Sequence, residues 1–365
     1  MTRFAFILHP LKASDLARRY RFVRGLPERL LEAGISRMPV QTISEITGIK
    51  SPTGAETEGW FVGCMMTTRQ IIEGSEKRAI SKVIDAARRA EDLGVDIVGL
   101  GAFTAVVGNG GQEVADAVDI GVTTGNSYTV STAVEGALRG AEVMEVDPRT
   151  STAAVMGATG SIGRVCAHLL ADEVARILLV GRRKDALEEV AGEIAGRNAE
   201  VEISLSAAES LPQAQIVLTV TSALDAVIEP EMLRPGAVVC DVARPRDVSV
   251  RVAKERDDVL VIEGGSVLVP GDVDFGFNFG FPPKTAYACM AETMILALEG
   301  HKEDYSLGKR LSLERVQEIT EMADRHGFTL SGFRSFERSV DDETIARIKQ
   351  RAAERQKAPA RAADD

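Results

Sequence analysis

Three groups of residues in this sequence have the types and spacing that chemistry requires. The first is the turn Gly157-Ala158-Thr159-Gly160-Ser161-Ile162-Gly163, with a glycine at every third position. It follows the apolar run Thr152-Ala153-Ala154-Val155-Met156 and opens a helical stretch reaching about residue 174. A strand that turns sharply into a helix needs one glycine for the turn and another where a pyrophosphate meets bare backbone. The helix N-terminus then offers unpaired N–H groups and a partial positive charge to the phosphates. In this strand–turn–helix setting Gly157, Thr159, Gly160, Ser161, Ile162 and Gly163 are candidates to hold a dinucleotide. The alternative is a glycine turn that only packs its helix on its strand.

The second group says which dinucleotide. The end of the next strand usually carries Asp or Glu for the ribose hydroxyls of NAD. Here it carries Gly181-Arg182-Arg183-Lys184. Guanidinium groups at Arg182 and Arg183 suit a 2′-phosphate, so NADP(H) is the expected cofactor. The alternative is a solvated start to the helix that follows. Thr221 and Ser222 close the fourth strand, and Gly265, in Gly264-Gly265, follows the sixth apolar run. All three are candidate cofactor contacts, Gly265 beside the nicotinamide.

The third group concerns a nucleophile, because a nucleotide-binding fold does not name a reaction. The cysteines are Cys64, Cys166, Cys240 and Cys289, with no C-x-x-C among them and only four scattered His. No metal site is expected, and in a reducing compartment these are free thiols. Tyr128, Tyr287 and Tyr305 each lack a Lys four positions on, so no Tyr-x-x-x-Lys pair is present. Cys289 lies in Lys284-Thr285-Ala286-Tyr287-Ala288-Cys289-Met290-Ala291-Glu292, near the start of a helix. An early helical position lowers a thiol pKa and raises the thiolate fraction. A thiolate there would attack an acyl thioester, and the acyl-enzyme would accept hydride and leave as an aldehyde. The alternative is a packed helix cysteine. Cys64, Cys166 and Cys240 fall on apolar segments and read as buried filler.

The elements that must position these groups read as α/β. The chain has 365 residues, which suits two domains. Residues 3–8, 43–50, 59–66 and 96–101 read as strands and 12–33, 75–92 and 126–144 as helices. The turn signal Ser51-Pro52-Thr53-Gly54 falls between two of the strands. Asp147-Pro148-Arg149-Thr150 breaks the pattern. Strand-like runs then recur at 152–156, 177–180, 216–220, 237–241 and 259–262, with a helix at 185–195, as in a parallel doubly wound sheet. Helices follow at 284–299 and 311–326. The expected domains are an α/β substrate-binding domain at 1–148, a Rossmann domain at 149–280, and C-terminal helices completing the active site at 281–337. A charged, frayed helix and disordered tail would follow at 338–365.

The net charge of −11 argues against nucleic-acid binding. No apolar run is long enough for a transmembrane helix, and the five-residue apolar run near the start is too short for a signal-peptide core. A cytoplasmic protein is expected.

Several runs together resemble the cyanobacterial long-chain acyl-[acyl-carrier-protein] reductases. They are Leu100-Gly101-Ala102-Phe103-Thr104, Thr123-Thr124-Gly125-Asn126-Ser127-Tyr128-Thr129, the glycine turn, Ala288-Cys289-Met290-Ala291-Glu292, Leu298-Glu299-Gly300 and Arg325-His326-Gly327-Phe328. The resemblance extends from about residue 90 to 328. It implies an N-terminal α/β substrate domain, a Rossmann domain and C-terminal helices. It also implies NADPH-dependent formation of a fatty aldehyde from acyl carrier protein or acyl-CoA thioesters, with Cys289 as nucleophile. An aldehyde-consuming enzyme is an implied partner. Thr124, Gly125 and Asn126 become candidates to line the site. Asn126 would hydrogen-bond the thioester oxygen or the developing oxyanion, its alternative role being an N-cap.

Gly163 with Asp241-Val242-Ala243-Arg244-Pro245-Arg246-Asp247 also resembles the cofactor domain of glutamyl-tRNA and shikimate reductases. An NADP-linked dehydrogenase of that type is therefore a rival, although no Asn-Val-Thr-x-Pro-x-Lys motif occurs. A non-catalytic NADP(H)-sensing protein is another.

Overall fold

Short apolar runs bounded by turns become strands, and the longer amphipathic stretches become helices. The computed structural model describes residues 1–14, 25 and 27–357. The chain forms two compact units, Met1–Thr129 with Ser266–Ser331, and Val130–Gly265 with Gly332–Asp365. These differ from the sequential blocks expected from the sequence. The first division falls inside the first turns of the helix Asn126–Val143 rather than at residues 147–150. Residues 266–331 return to the first unit because their strands and helices pack with its sheet.

In the first unit a six-stranded sheet runs in the order Gly271–Asp274, Gln41–Lys50, Glu56–Gly63, Phe4–Leu8, Ile97–Leu100, Gly121–Thr123. The last four strands pair in parallel, and Gln41–Lys50 pairs antiparallel with both its neighbours. Successive side chains on a strand point to opposite faces. Accordingly Ala5 and Ile7 join the core cluster that holds Val83, Ala87 and Ala90 of the helix Glu76–Asp92. Phe4 and Phe6 join the cluster that holds Ala291, Met294 and Ile295 of the helix Ala288–Leu298. The first helix is amphipathic and covers the sheet with one stripe. The second is apolar nearly all round, the composition of a helix buried on every side.

The helix expected at 284–299 starts only at Ala288. Thr285–Tyr287 pairs antiparallel with Ser266–Leu268, which also pairs with Thr329–Leu330, so the backbone N–H and C=O groups of 285–287 go to a small sheet. The helix expected at 12–33 is described only in part. Glu28–Ile35 is helical, while residues 15–24 and 26 lie outside the described residues.

In the second unit a six-stranded sheet runs Leu260–Glu263, Val238–Asp241, Ile216–Thr219, Thr152–Met156, Arg176–Val180, Glu200–Ser204. Every pairing is parallel. Numbered along the unit, this is the order 6-5-4-1-2-3 of a dinucleotide-binding Rossmann sheet, with its switch point between the first and fourth strands. Five of the strands, Leu260–Glu263, Val238–Asp241, Ile216–Thr219 and all but the first residue of Thr152–Met156 and of Arg176–Val180, are buried throughout. Parallel strands covered on both faces read as such continuous apolar runs.

The charged helix expected after 338 is Asp342–Lys357, and it is docked rather than frayed, with Ile345, Ile348 and Ala352 buried. Arg355 joins Arg256 in pairing with the fully buried Asp258. Residues 358–365 of the expected tail lie outside the described residues. No helix among the described residues is long and apolar enough to cross a membrane.

Candidate active site

Cys289 is the second residue of the helix Ala288–Leu298 and the one residue of that helix that is not buried. Cys64, Cys166 and Cys240 are all buried, so of the four cysteines only Cys289 reaches the surface. Titration does not separate them. Burial pushes the Cys64 and Cys240 thiols up to about 12 and raises that of Cys166 as well. The Cys289 thiol is also pushed up to about 12, by burial first and then by the charge of Glu292. The backbone N–H groups of Met290, Cys289 and Ala102 act in the opposite direction. The helical position therefore does not lower this thiol pKa as the sequence led us to expect. The helix start contributes its amides, but desolvation outweighs them in the resting protein.

The turn Thr124-Gly125-Asn126 lies directly against the cysteine. Gly125 has φ +73, and a Cβ there would stand 2.3 Å from Cys289 Cα and 2.4 Å from its Cβ. Only glycine permits both that conformation and that approach. Asn126 opens the helix Asn126–Val143, half-buried, and its side-chain amide makes no hydrogen bond among the described residues. Thr124 is buried, and its hydroxyl is committed to the Ser306 carbonyl at 2.5 Å.

Sequence reasoning missed Glu292 as a site residue. It is wholly buried and accepts hydrogen bonds from Thr123 Oγ1 at 2.5 Å and from the Tyr128 N–H at 2.8 Å. Burial raises its pKa, and donation from Thr123 and then from the Tyr128 N–H pulls it back down. A signal was present: Glu292 is the one charged residue in that helix.

The glycine turn of the second unit fits a bound dinucleotide. Gly157 has φ +80, and a Cβ on it would stand 2.7 Å from the Val220 carbonyl oxygen. One on Gly163 would stand 2.3 Å from the Gly157 carbonyl oxygen. At Gly160 a Cβ meets only the Gly157 carbonyl, at 3.3 Å, so this exposed position leaves the approach to the backbone open. The helix Ser161–Leu170 starts there without a side-chain cap, and its first-turn N–H groups, those of Ser161, Ile162 and Gly163, have no partner within the helix. Thr159, Ser161 and Ile162 are half-buried on the same turn. This cradle is what a pyrophosphate requires.

Arg182 and Arg183 follow the strand Arg176–Val180. Both are exposed, and neither guanidinium is in an ion pair among the described residues. The neighbouring Lys184 pairs with Glu188 at 3.6 Å. Thr221 is less available than expected. Its hydroxyl donates to Asp247 Oδ1 at 2.5 Å and its N–H to Oδ2 at 2.9 Å, while Thr219 donates to Oδ2 at 2.5 Å. Asp247 thus ties the end of the fourth strand into the loop after the fifth. Nearby Asp241 accepts from the N–H groups of Ala243 and Val248, and burial pushes it up to about 6 against the pull of Arg244. Ser222 is exposed, and Gly265 is buried with φ +76 just past the strand Leu260–Glu263. No cluster of metal-ligating side chains occurs among the described residues.

Comparison with known proteins bears mainly on the second unit. The shikimate / quinate 5-dehydrogenase family profile matches residues 141–263. With the strand order and the glycine cradle, this identifies the unit as an NADP(H)-binding Rossmann domain of oxidoreductase type. Over 95% of its length the chain is 30% identical to the aminotransferase PigE of a Serratia species, of which it spans only 42%. Over 80% of its length it is 29% identical to the long-chain acyl-[acyl-carrier-protein] reductase of Synechococcus elongatus, covering 88% of that protein. Among solved structures, L-tryptophan dehydrogenase from Nostoc punctiforme aligns with 97% of this chain and 89% of its own. The identity is 12% and the TM-score 0.39.

Proposed function

We propose that this chain reduces long-chain fatty acyl thioesters, carried on acyl carrier protein or coenzyme A, to fatty aldehydes with NADPH through an acyl-Cys289 intermediate. The observation that carries the reading is the partial exposure of Cys289. It alone among the cysteines is not buried, it begins a helix otherwise buried, and Gly125, next to Asn126 in the chain, is set against it. Resemblance to the Synechococcus reductase over most of the chain supports the same chemistry. An aldehyde product also suits the longer Serratia relative, since an aminotransferase takes a carbonyl compound as amino acceptor.

Cys289 Sγ, once deprotonated, adds to the thioester carbonyl carbon. The bond from that carbon to the carrier sulfur breaks, and the carrier leaves as a thiol with a proton. Asn126 donates from its side-chain amide to the carbonyl oxygen as negative charge develops there. Bound NADPH supplies the hydride that reduces the acyl carbon. The Gly157–Gly163 cradle holds the pyrophosphate, Arg182 and Arg183 hold the 2′-phosphate, and Ser222 and Gly265 border the cofactor. The resulting Cys289 thiohemiacetal collapses by breaking its C–S bond. Aldehyde departs, and Sγ takes up a proton again.

Purified protein with NADPH and palmitoyl-CoA should form hexadecanal. Without NADPH it should gain the mass of one palmitoyl group, and Cys289→Ala should do neither. NADPH binding with no adduct and no aldehyde would favour the dehydrogenase or sensor reading instead. The raised thiol adds a pH signature. Thiolate is the reactive form, so with the thiol at about 12, Cys289 alkylation by iodoacetamide should climb tenfold per pH unit from pH 7 to 10. A plateau near about 8.5, where an ordinary thiol titrates, would contradict this.

A further inference from the structure

A single carboxylate joins the nucleophile's helix to the turn that faces the nucleophile. Glu292 stands three positions after Cys289, wholly buried. Burying a carboxylate is costly unless its oxygens are satisfied. Here each oxygen has a donor: Thr123 Oγ1 on Oε1 at 2.5 Å and the Tyr128 N–H on Oε2 at 2.8 Å. The two donors flank Thr124-Gly125-Asn126 on either side. Tyr128 lies in the first turn of the helix Asn126–Val143, whose N–H groups have no partner within the helix, so the same carboxylate satisfies a helix N-terminus.

The turn is pinned a second time by Ser306. Its carbonyl accepts from Thr124 Oγ1 at 2.5 Å, its hydroxyl donates to Ser127 Oγ at 2.6 Å, and the Ser127 N–H donates back to that hydroxyl at 3.3 Å. Gly125, at the centre of the turn, lies against Cys289.

We propose that Glu292 is the positioning residue of this site: it fastens the turn 123–128 to the helix of Cys289 and so sets where Gly125 and Asn126 stand relative to the nucleophile. Its effect on turnover rests on the acyl-thioester reading, but the clamp itself does not. An apolar residue of similar size would leave the Tyr128 N–H and Thr123 hydroxyl buried without acceptors. A glutamine keeps a hydrogen bond to each of them, because its carbonyl can accept from the Tyr128 N–H and its amide can donate to Thr123 Oγ1, with the direction of that second bond reversed.

The test compares wild type with Glu292→Ala, Glu292→Gln and Thr123→Val in the full chain, by two reactions at Cys289. The first is palmitoyl adduct formation from palmitoyl-CoA without NADPH. The second is alkylation by iodoacetamide, which needs no substrate positioning. Glu292→Ala is expected to slow adduct formation on the order of 100-fold, as misplacement by about an ångström does. It should speed alkylation several-fold more than Glu292→Gln does, because the turn no longer covers the thiol while both variants lose the same charge, and leave NADPH affinity unchanged. Glu292→Gln should return adduct formation to within about threefold of wild type, and Thr123→Val, which keeps the charge, should fall between.

A folding defect would slow both reactions or weaken NADPH binding. If Glu292→Ala does not fold, Glu292→Gln and Thr123→Val decide. Wild-type rates for both reactions in Glu292→Ala, or in Thr123→Val where the alanine variant does not fold, would overturn the proposal, as would a glutamine variant as impaired as alanine. If wild type forms no palmitoyl adduct, the acyl-thioester reading fails, and the alkylation rates still decide whether Glu292 clamps the turn.

Discussion

Gly163 and Gly125 both allow an approach that a side chain would block, but they belong to different kinds of site. A Cβ on Gly163 would collide with the Gly157 carbonyl oxygen, a few residues back in the same turn. A Cβ on Gly125 would collide with Cys289, on a helix brought in from the far end of the first unit. The nucleotide cradle is therefore a local object. Its working groups are backbone amides, and its own glycines shape it. The surroundings of Cys289 are an assembled object, in which Glu292, Thr123 and Ser306 tie together segments far apart in sequence. A local site fails when its own turn is altered. An assembled site fails when any of its distant ties is cut.

The sharpest test of that contrast is a pair of alanine substitutions. Gly125→Ala combines left-handed strain of about 1–2 kcal/mol with overpacking of about 1–3 kcal/mol. Adduct formation at Cys289 should fall on the order of 100-fold or more, with NADPH affinity retained. Gly163→Ala should push the cradle apart. Overpacking of about 1–3 kcal/mol translates to roughly 10–100-fold weaker NADPH binding, while Cys289 alkylation stays at the wild-type rate. Fluorescence titration of NADPH and intact mass of the alkylated protein read the two effects separately. If Gly125→Ala weakens NADPH binding as much as Gly163→Ala does, the two sites are not independent objects and the contrast is lost.

The same contrast explains what could be read in the sequence. The second unit is written in adjacent residues: Thr152–Met156, the glycine turn, its helix, and then Arg176–Val180 reaching Arg182. Each signal is complete within a dozen positions, and the parallel strands announce themselves as unbroken apolar runs. In the first unit the strands Phe4–Leu8, Gln41–Lys50, Glu56–Gly63 and Ile97–Leu100 and the helix Glu76–Asp92 were legible, but the short strands that depend on a distant edge were not. Gly271–Asp274 has little apolar pattern and becomes a strand only because Gln41–Lys50 offers it an edge. Thr285–Tyr287 leads directly into a helical run in the sequence, yet pairs with Ser266–Leu268. Cys289 could be nominated from its helical position, but the state of its thiol could not. The burial that raises it comes from elements folded around the helix, not from the helix itself.

Of smaller effect are Arg182 and Arg183, which we propose hold the 2′-phosphate with charged side chains where the glycine turn offers backbone. Each is exposed, so each is unbound to a protein carboxylate at no cost to the fold. A hydrogen bond to a charged group contributes about 1.5–3 kcal/mol. Replacing both with Ala should therefore weaken NADPH binding roughly 10–100-fold and leave NADH binding within about twofold. Thermal stability should not move. Equal loss for NADH and NADPH would mean that the pair acts through the turn and not on a 2′-phosphate.

The smallest expected effect belongs to Thr221, where the cofactor unit departs from its otherwise local construction. Its hydroxyl and N–H both go to Asp247, which Thr219 also holds. Thr221→Val removes one of three donors and leaves the carboxylate two. Loss of that bond costs about 1–2 kcal/mol, a fall in Tm of roughly 2–8 °C for a unit of this size. NADPH affinity should stay within about threefold, because the hydroxyl is already committed to the strand end. A variant with unchanged Tm and tenfold weaker NADPH binding would reverse the assignment. Thr221 would then be a cofactor ligand, and the tie to Asp247 would be what the protein gives up on binding.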